Sequence, residues 1–589
     1  MRELFAVWLF VGALASAQTR DTAAVVGDIV DPQGASIVGA TVTLINVQTG
    51  QTRTTNSDSS GRYQFNLLPV GAYQLMAEQR SFRRYERRGI TVQANENLKI
   101  DVVLEIGDVK STVTVDAAPN QVETEVATLK ETVDQKRVVD LPLNGRDAAT
   151  LALLVPGVVG GQYKTGVSGQ DSFSFNGSRN NNVRFTLDGG QNMDNHYNMN
   201  VPFPFPDAVQ EFSVQTSNMG PDQGNSSAGA VNIVTKAGTN TVHGDVFWFV
   251  RNSNFNATNY FSHQPDSLKR NQVGFTLGGP LLKNRLFAFG GYQQLWIRSA
   301  PGDLRFQSLT AAERQGNFSA FPAPIVDPAQ NNIPFAGNRI PVSRFSAAAV
   351  RLLGVSPPPA ANGFTNYTIS TPESGKQYIG RLDYLINDRQ TVLFRAFSNE
   401  QENPFHSPTD NMNASRRSVD VPSKSATLAY NYTVTPNMVV HTQLSGTHII
   451  EEGRTDLPLS YASFGISLYA PSNDITVSLA NSGVSFTAPH QRLFKRASEE
   501  LIHDWTWTHG AHTFTWVRKS VGGSITKLRS TMPRVHSASM ATRRDTTVPI
   551  SCSGSFPPST RTMASMKTDV SFSRASMAET TGGSIVTSP

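Results

Sequence analysis

Apolar and polar residues alternate with a period of two along the first hundred residues that follow a short apolar N-terminus. The alternation is clearest in residues 25–29, 38–44, 63–67, 73–77 and 100–104. The tetrapeptides Asp-Pro-Gln-Gly and Asp-Ser-Ser-Gly interrupt it with residue types that favour turns. This spacing predicts about seven strands in residues 22–106, packed as a small Ig-like β-sandwich.

A second alternating region, residues 240–517, has longer segments that are joined by short turns. Hairpins are predicted at residues 268–292, 378–397, 425–445 and 501–516. Strands of roughly 10 residues, with tight turns on one side and long polar loops on the other, are typical of a transmembrane antiparallel β-barrel. A soluble all-β protein with long loops is the alternative, although such loops are uncommon in compact soluble domains.

The intervening residues, 118–236, mix helical and strand patterns and predict a small α+β domain. A short amphipathic helix is predicted within residues 126–141, and a second helix at residues 147–154 ends at Pro156 and Gly157. Asp188 and Gly189 form a predicted tight turn. Strands are predicted at residues 173–175, 183–187, 209–214 and 230–236.

Three segments of this region carry a family resemblance: LPLNGRDAATLALLVPGV, FSFNGSRNNNVRFTLDGGQNMDN and DAVQEFSVQTSNMGPDQGNSSAGAVNIVTKAGTN. Their order and spacing resemble the plug domain of TonB-dependent outer-membrane receptors. The N-terminal pattern of D-x-x-G, I-x-G-A-x-V, D-x-x-G-x-Y and L-x-x-G-x-Y resembles the carboxypeptidase-regulatory-like domain that the Oar-like subgroup adds. The resemblance covers residues 22 to about 517. It implies an outer-membrane location, uptake of a bulky extracellular ligand and a TonB-type inner-membrane energy-coupling partner.

Residues 107–117 link the sandwich to the plug, and within them Ser111, Thr112, Val113, Thr114 and Val115 resemble the family's TonB box. A β-branched extended segment can pair with a partner strand through main-chain hydrogen bonds. Main-chain pairing tolerates many sequences, so a second interpretation stays open. The segment is then the last strand of the sandwich, or a plain linker.

A polar loop of the plug is the candidate ligand-facing surface, with Asn192, Asp194, Asn195, His196 and Tyr197. Three turn carboxylates are likewise candidates for ligand contact at the outer apices of the plug: Asp188, Asp194 and Asp207. The sequence leaves a siderophore, an oligosaccharide, a peptide and an exported protein open as ligands. It also leaves open whether the N-terminal sandwich binds a glycan, binds a protein or serves as a spacer.

Composition adds few constraints. Hydrophobic residues make up 39%, charged residues 16%, and mean hydropathy is -0.28, as expected for many strands joined by polar loops. The net charge of +5 could indicate nucleic acid, but no basic stripe or nucleic-acid motif is present, so no such partner is predicted. The single cysteine, Cys552, excludes an internal disulfide. Motifs for catalysis, cofactor binding and metal binding are absent, so we predict no enzyme.

The first 17 residues predict a secretory signal peptide. Arg2 supplies a positive charge, an apolar run of about 11 residues follows, and Ala15-Ser16-Ala17 matches the cleavage pattern. The run is too short to span a bilayer as a helix, and so is every later apolar segment. An N-terminal core strand or anchor is the alternative. If the chain meets outer-membrane lipid, it must do so as a barrel.

The pattern stops near Val517, and residues 519–589 are dominated by Ser, Thr, Arg and Met. A frameshift near Lys519 or a disordered tail is predicted for this segment. Residues 237–518 would then hold only part of the family's barrel. Besides transport, an outer-membrane binding or adhesion protein and a non-functional truncated product remain alternatives.

Overall fold

The computed structural model describes most of the chain from residue 22 onward. The described residues are 22–107, 112–116, 129–143, 145–160, 172–179, 182–217, 228–258, 260, 263, 266–300, 304–307, 309–355, 363–367, 370–402, 417–455, 461–466, 475–479, 485–488, 492–509, 512–528, 539–540, 550–551, 573–574 and 580–587. The predicted signal peptide, Ser111 and Cys552 lie outside these ranges.

The N-terminal unit is a β-sandwich, as predicted. Its strands are β1 Thr22–Val30, β2 Thr41–Asn46, β3 Thr52–Asn56, β4 Arg62–Pro69, β5 Gly71–Glu78, β6 Arg84–Val92, β7 Asn97–Lys99, β8 Val102–Val103 and β9 Thr112–Asp116. One sheet has the order β4-β1-β7, with β8 also on β1, and the other has the order β3-β2-β5-β6-β9. The alternating apolar residues face each other between the sheets, where Leu44, Leu75 and Ile90 are at most 1% exposed.

Strand β9 contains four of the five residues that resemble a TonB box. It runs parallel to β6, with Arg84 opposite Thr112 and Arg88 opposite Asp116. It is the terminal strand of its sheet, and Thr114 is exposed. The sandwich-strand interpretation therefore holds for residues 112–116 in this conformation, while a role in partner binding stays a prediction.

The α+β unit between sandwich and barrel sheet, which we call the plug after its predicted role, forms a five-stranded sheet with short helices beside it. Its elements are β10 Leu129–Asp134, α1 Gln135–Asp140, a 3₁₀ helix Ala148–Leu154, β11 Val158–Gly160, β12 Phe173–Phe175, β13 Val183–Leu187, β14 Gly190–Gln191, β15 Met193–Asp194, β16 Met199–Asn200, a 3₁₀ turn Pro206–Ala208, β17 Val209–Ser217 and β18 Gly229–Thr235. The sheet order is β10-β17-β18-β13-β14. Strands β12, β13, β17 and β18 lie where the sequence predicts strands.

Both predicted helices are present. The short helix predicted within residues 126–141 is α1, and the residues just before it, 129–134, form β10, which pairs with β17. The Asp134 side chain ends the strand and caps the helix by accepting a hydrogen bond from Arg137 N at 2.9 Å. The predicted helix at 147–154 is present as a 3₁₀ helix, with Asp147 as its N-cap.

The largest sheet is antiparallel, and its main strands are joined by short turns. The remaining elements are β19 His243–Asn252, a 3₁₀ turn Ser253–Phe255, β20 Lys269–Leu282, β21 Leu286–Ser299, β22 Leu304–Gln307, α2 Ala311–Arg314, β23 Val326–Asp327, 3₁₀ turns Pro328–Gln330, Ala336–Asn338 and Val342–Arg344, β24 Ile333–Pro334, α3 Ala347–Val355, β25 Phe364–Tyr367, β26 Thr371–Asn387, β27 Gln390–Glu402, β28 Arg417–Asp420, β29 Ser423–Thr435, β30 Met438–Thr455, a 3₁₀ turn Ala462–Phe464, β31 Ile475–Leu479, β32 Ser485–Ala488, β33 Arg492–His509, β34 His512–Leu528, β35 Ser539–Met540, β36 Ile550–Ser551, β37 Ser573–Arg574 and β38 Thr580–Thr587.

All four predicted hairpins are present in this barrel sheet, and the strands are longer than predicted. Strands β29 and β30, for example, have 13 and 18 residues, and their turn closes at Thr435 opposite Met438. Short turns also join β20 to β21, β26 to β27 and β33 to β34. We call the end of the sheet that carries these turns the short-turn side.

Apolar side chains cover the outer face of the barrel sheet. Leu382, Phe394, Leu428, Leu444 and Leu501 are neighbours in register across five strands, and each is at least 41% exposed. Three tryptophans near the short turns are exposed on the same face: Trp505, Trp507 and Trp516. The inner face instead carries buried charges. Apolar residues outside and charged residues inside are the reverse of the pattern in a soluble protein, and this fits a barrel wall whose outer face contacts lipid.

The barrel sheet stays open within the described part of the chain, because β19 pairs there only with β20. At the other end, β34 continues to Leu528, past the predicted boundary at residue 518. Strands β37 and β38 pair with β34, so these parts of the predicted tail are extended strands. No helix in the described ranges is long and apolar enough to cross a membrane.

Candidate functional site

The plug lies against the inner face of the barrel sheet, and its tightest attachment is the turn after β13. Asp188 is 0% exposed there. Its carboxylate accepts hydrogen bonds from Thr235 N at 2.8 Å and from Arg381 Nη1 at 3.1 Å. Arg395 Nε completes an ion pair at 3.3 Å. One plug carboxylate is thus shared between arginines from β26 and β27.

The backbone of the same turn approaches the wall closely. Gly189 has a φ of +73°, and a Cβ at Gly190 would lie 2.6 Å from Thr427 Oγ1. Gln443 Nε2 donates a hydrogen bond to Asp188 O at 3.0 Å. Gly189 is required by its backbone conformation, and Gly190 is required because a side chain has no space there. Including Arg381 and Arg395, residues of β26, β27, β29 and β30 all contact this turn.

A second ion pair holds the beginning of β13. Arg184 Nη2 and Glu500 Oε1 are 2.7 Å apart, and both side chains are almost fully buried. Lys519 Nζ lies 2.8 Å from the same Glu500 oxygen. Strand β13 is therefore tied to the wall at both of its ends.

Aromatic residues fill the space between plug and wall. Phe205 of the plug lies 5.6 Å, centroid to centroid, from Phe247 of β19. Phe289, Ile379 and Phe397 of the wall belong to the same buried cluster as the plug core. The plug thus packs against the wall through a shared apolar core.

The candidate ligand loop forms a small hairpin, β15–β16, at the end of the plug that lies away from the sandwich. Asn195 and His196 are exposed, and Tyr197 is half-buried with the Arg496 guanidinium 5.2 Å from its ring centroid. These three side chains can contact a ligand. Asn192 and Asp194, which were expected to face a ligand, are buried.

The two buried residues hold the hairpin instead. Asn192 Nδ2 donates to Val201 O at 2.8 Å. The Asp194 carboxylate accepts from His196 N at 3.0 Å and lies 3.3 Å from Arg496 Nη2. Burial raises the pKa of Asp194, although Arg496 opposes that rise. Asn192 and Asp194 thus position the hairpin.

The other two turn carboxylates also have structural partners. Asp188 is enclosed in the arginine cluster, and Asp207 Oδ2 lies 2.6 Å from Arg146 Nη2 with both side chains nearly buried. The Arg146 guanidinium lies 3.7 Å from the Phe249 ring centroid. Ligand contact was expected for both acids, and their burial against cations corrects that expectation.

Sequence reasoning missed the cations on the wall that complete these pairs, namely Arg381, Arg395 and Arg496. A signal was available, because Arg381 and Arg395 stand next to the outward-facing Leu382 and Phe394 in alternating strands. A charged residue at the inward position of a barrel strand indicates a lumen contact. For Arg381 and Arg395, however, the contacted plug residues lie about 200 residues away in the chain.

The hairpin and the sandwich lie at opposite ends of the barrel sheet. Arg496 and Glu451 stand near the ends of β33 and β30 that lead into the long 456–491 connection. The sandwich instead meets the short-turn side, where Asn240 N donates to Gln48 O at 2.9 Å. In bacterial barrels the short turns are periplasmic and the long loops extracellular. We therefore expect the hairpin to face the extracellular side.

Among the residues that the structure describes, no group of three or more His, Cys, Asp and Glu side chains is arranged to hold a metal ion.

Comparison with known proteins gives two family matches. The family model for the outer membrane beta barrel domain matches residues 234–532, just over half of the 589 residues. The model for the carboxypeptidase regulatory-like domain matches residues 24–105. The barrel match also runs past the predicted boundary at residue 518, in agreement with the length of β34.

Among curated proteins, the TonB-dependent transporter Oar of Myxococcus xanthus is 30% identical over 312 residues. That alignment covers 50% of this chain and 28% of the relative, so the chain spans little more than a quarter of the relative's length.

Two solved structures are similar to part of this chain. The outer membrane transporter YddB from Escherichia coli has a TM-score of 0.43 and 10% identity, covering 68% of this chain and 48% of YddB. The siderophore receptor PirA from Acinetobacter baumannii has a TM-score of 0.40 and 15% identity, covering 67% of this chain and 48% of PirA. All the named relatives are transporters or receptors. The chain belongs to the outer membrane beta barrel family, carries a carboxypeptidase regulatory-like domain before its barrel, and is a protein of the outer membrane.

Proposed function

We propose that this chain takes part in energised uptake of a bulky extracellular ligand across the outer membrane. The observation that carries the proposal is the plug, which is tied by buried ion pairs to the inner face of the barrel wall. A ligand can pass such a plug only if part of it moves. Because several buried contacts must break, the movement needs an energy source, which the outer membrane itself lacks.

The proposed energy source is a TonB-type inner-membrane protein that pairs with residues 111–115. Strand β9 supports this role because it is terminal in its sheet and carries an exposed Thr114. The edge of an extended strand can accept a partner strand through main-chain hydrogen bonds. The sandwich that carries β9 also meets the short-turn, periplasmic side of the barrel sheet, which such a partner can reach.

The proposed ligand contact is the hairpin β15–β16, through Asn195, His196 and Tyr197. The Asp194–Arg496 ion pair supports this role, because it holds the exposed tip in one position relative to the wall. A siderophore, an oligosaccharide and a peptide all remain candidate ligands. The proposal includes no enzymatic step and no nucleic-acid partner.

Proline substitutions in β9 test the partner role. Successive residues of a strand direct their N–H groups to opposite edges, so one of Val113→Pro and Thr114→Pro removes a donor from the outer edge. We expect that variant to bind the periplasmic domain of a TonB-type protein about tenfold more weakly in biolayer interferometry. Val113→Thr, which keeps the N–H and the β-branch, should bind as wild type does.

Uptake separates transport from adhesion. Cells would be offered three labelled probes: a ferric catecholate, maltoheptaose and a decapeptide. Transport predicts that at least one accumulates, and that a protonophore or the weaker-binding proline variant abolishes accumulation while surface binding persists. Surface binding that neither treatment affects, without accumulation, would contradict transport and favour the adhesion alternative.

A further inference from the structure

The sandwich contacts both the plug and the barrel sheet, and each contact uses hydrogen bonds to its backbone. The first contact is the loop between β6 and β7, residues 93–96. Ala94 is fully buried there, and its N–H donates to both carboxylate oxygens of Glu211, at 3.0 and 3.2 Å. The Ala94 carbonyl accepts a hydrogen bond from Lys130 Nζ. Glu211 of β17 and Lys130 of β10 thus hold the backbone of one sandwich residue through both its N–H and its carbonyl.

The second contact is the turn between β2 and β3. Asn240, which lies between the plug and β19, donates from its backbone N–H to Gln48 O at 2.9 Å and from Nδ2 to Thr49 O at 2.7 Å. The same side chain exchanges hydrogen bonds with Asn284 in the short turn between β20 and β21. The sandwich therefore contacts both the plug, which is the part proposed to move, and the barrel sheet, which is proposed to stay in place.

We propose that the sandwich is an intramolecular clamp, which ties the β10–β17 edge of the plug to the barrel through Ala94 and Asn240 and must release Ala94 before β10 can leave the sheet. The position of the loop supports this arrangement. Loop 93–96 directly follows β6, the strand to which β9 is paired. The clamp is therefore one strand away from the segment that is proposed to meet the energy-coupling partner, although its existence does not depend on that partner.

The charges around Glu211 make the clamp sensitive to pH. Burial raises the pKa of Glu211 from its ordinary value to about 7; Lys130 and the hydrogen bond from the Ala94 N–H oppose the rise, and Glu96 adds to it. Asp134 is opposite Glu211 in the strand register, and Lys236 and Asp245 line the same groove between sandwich, plug and wall.

The direction of this pH dependence follows from the linkage between proton binding and docking of the sandwich. A carboxyl whose pKa is raised in the docked state binds its proton more tightly when docked, so docking is strongest below the ordinary pKa of about 4.5. Docking then weakens as the pH rises through about 7. If release returns Glu211 to its ordinary pKa, the docking equilibrium falls by roughly a hundredfold or more over that range.

The test measures the distance between spin labels at two exposed positions of the full chain, Ser59 on the sandwich and Asn437 in a short turn, with Cys552→Ser. At pH 5.5 we expect one narrow distance distribution, and at pH 8.5 an added, broader population. Glu211→Ala removes the acceptor of the Ala94 N–H and should give the broad population at both pH values. Glu211→Gln keeps an acceptor without a charge, so it should stay docked at both.

The matched control is Glu131→Gln, the same change at an exposed position on neighbouring β10. It should follow the wild type. If Glu211→Ala fails to fold, Lys130→Met tests the same residue, Ala94, from its carbonyl side and should also broaden the distribution. An unchanged narrow distance in the folded Ala or Met variant, or equal broadening in the control, would overturn the proposal. Release of residues 129–134 in hydrogen exchange without loss of docking would overturn it as well.

Discussion

The plug sheet has two edges, and they are held in different ways. At the β14 edge, the turn at Asp188 engages residues from four barrel strands, including two buried arginines. At the β10 edge, Glu211 and Lys130 hold the backbone of a single sandwich residue, Ala94. The first attachment involves many partners that must separate together, and the second involves few. The comparison indicates a fixed edge and a releasable edge within one small domain.

Asp188→Ala should break the fixed edge and give the largest effect. Arg381 and Arg395 would stay buried with one carboxylate fewer, and removing one partner of a buried pair costs about 3–5 kcal/mol. We expect the free energy of unfolding of the plug to fall by about that amount. Urea titration, followed by hydrogen exchange in residues 183–187, measures it.

The control for that variant is Asp140→Ala, which removes an exposed carboxylate of α1. Its free energy of unfolding should match the wild type. Equal losses in the two variants would mean that the β14 edge is not specially fixed.

Gly190→Ala should strain the fixed edge without removing a charge. The added Cβ would lie 2.6 Å from Thr427 Oγ1 and 2.9 Å from Ser445 Cβ. Overpacking of this kind costs about 1–3 kcal/mol. The same urea titration checks it, with Gly380→Ala as the control because no atom lies within 4 Å of the Cβ that it adds. A neutral Gly190→Ala would show that the turn can move away from the wall.

Asn240→Ala tests the barrel side of the clamp. It removes the side-chain donor to Thr49 O, a partly exposed hydrogen bond worth about 1 kcal/mol, while its backbone bond to Gln48 stays. Residues 46–51 should exchange their amide hydrogens several-fold faster, and residues 183–187 should not change. Faster exchange in both segments would show that the two edges are coupled.

Lys136→Ala should have the smallest effect. This exposed lysine pairs with Asp140 on the surface of α1, and exposed pairs contribute little. Its unfolding midpoint should equal that of the wild type. A clear destabilisation would mean that α1 helps to hold the β10 edge.

Alternation in the sequence predicted strands in both the sandwich and the barrel sheet. It does not tell whether the apolar face of a strand is buried in a core or exposed on the outside. Leu44 of the sandwich is 1% exposed, whereas Leu444 of the barrel sheet is 54% exposed, although both stand in alternating strands. Strand length and short turns separated the two cases. The short helix predicted within residues 126–141 is present as α1, but the strand β10 before it was not predicted, because its pairing with β17 leaves no signal in the local pattern.

The candidate site was less predictable. The sequence predicted a polar loop where the β15–β16 hairpin lies and a turn at Asp188, because turn residues are local signals. It could not tell which of these polar residues are buried, since their partners come from distant strands: Arg381 for Asp188 and Arg496 for Asp194. Nor does a sequence pattern indicate that Glu211 binds the backbone of Ala94. Contacts of this kind depend on how three units pack together.

Hydrogen exchange of the full chain tests the comparison of the two edges most directly. The account predicts that β13 exchanges most slowly and β10 fastest within the plug sheet. It also predicts that raising the pH from 5.5 to 8.5, after correction for intrinsic exchange, deprotects residues 93–96 and 129–134 while residues 183–187 keep their protection. Uniform protection across the sheet, or loss of protection at β13 before β10, would contradict it.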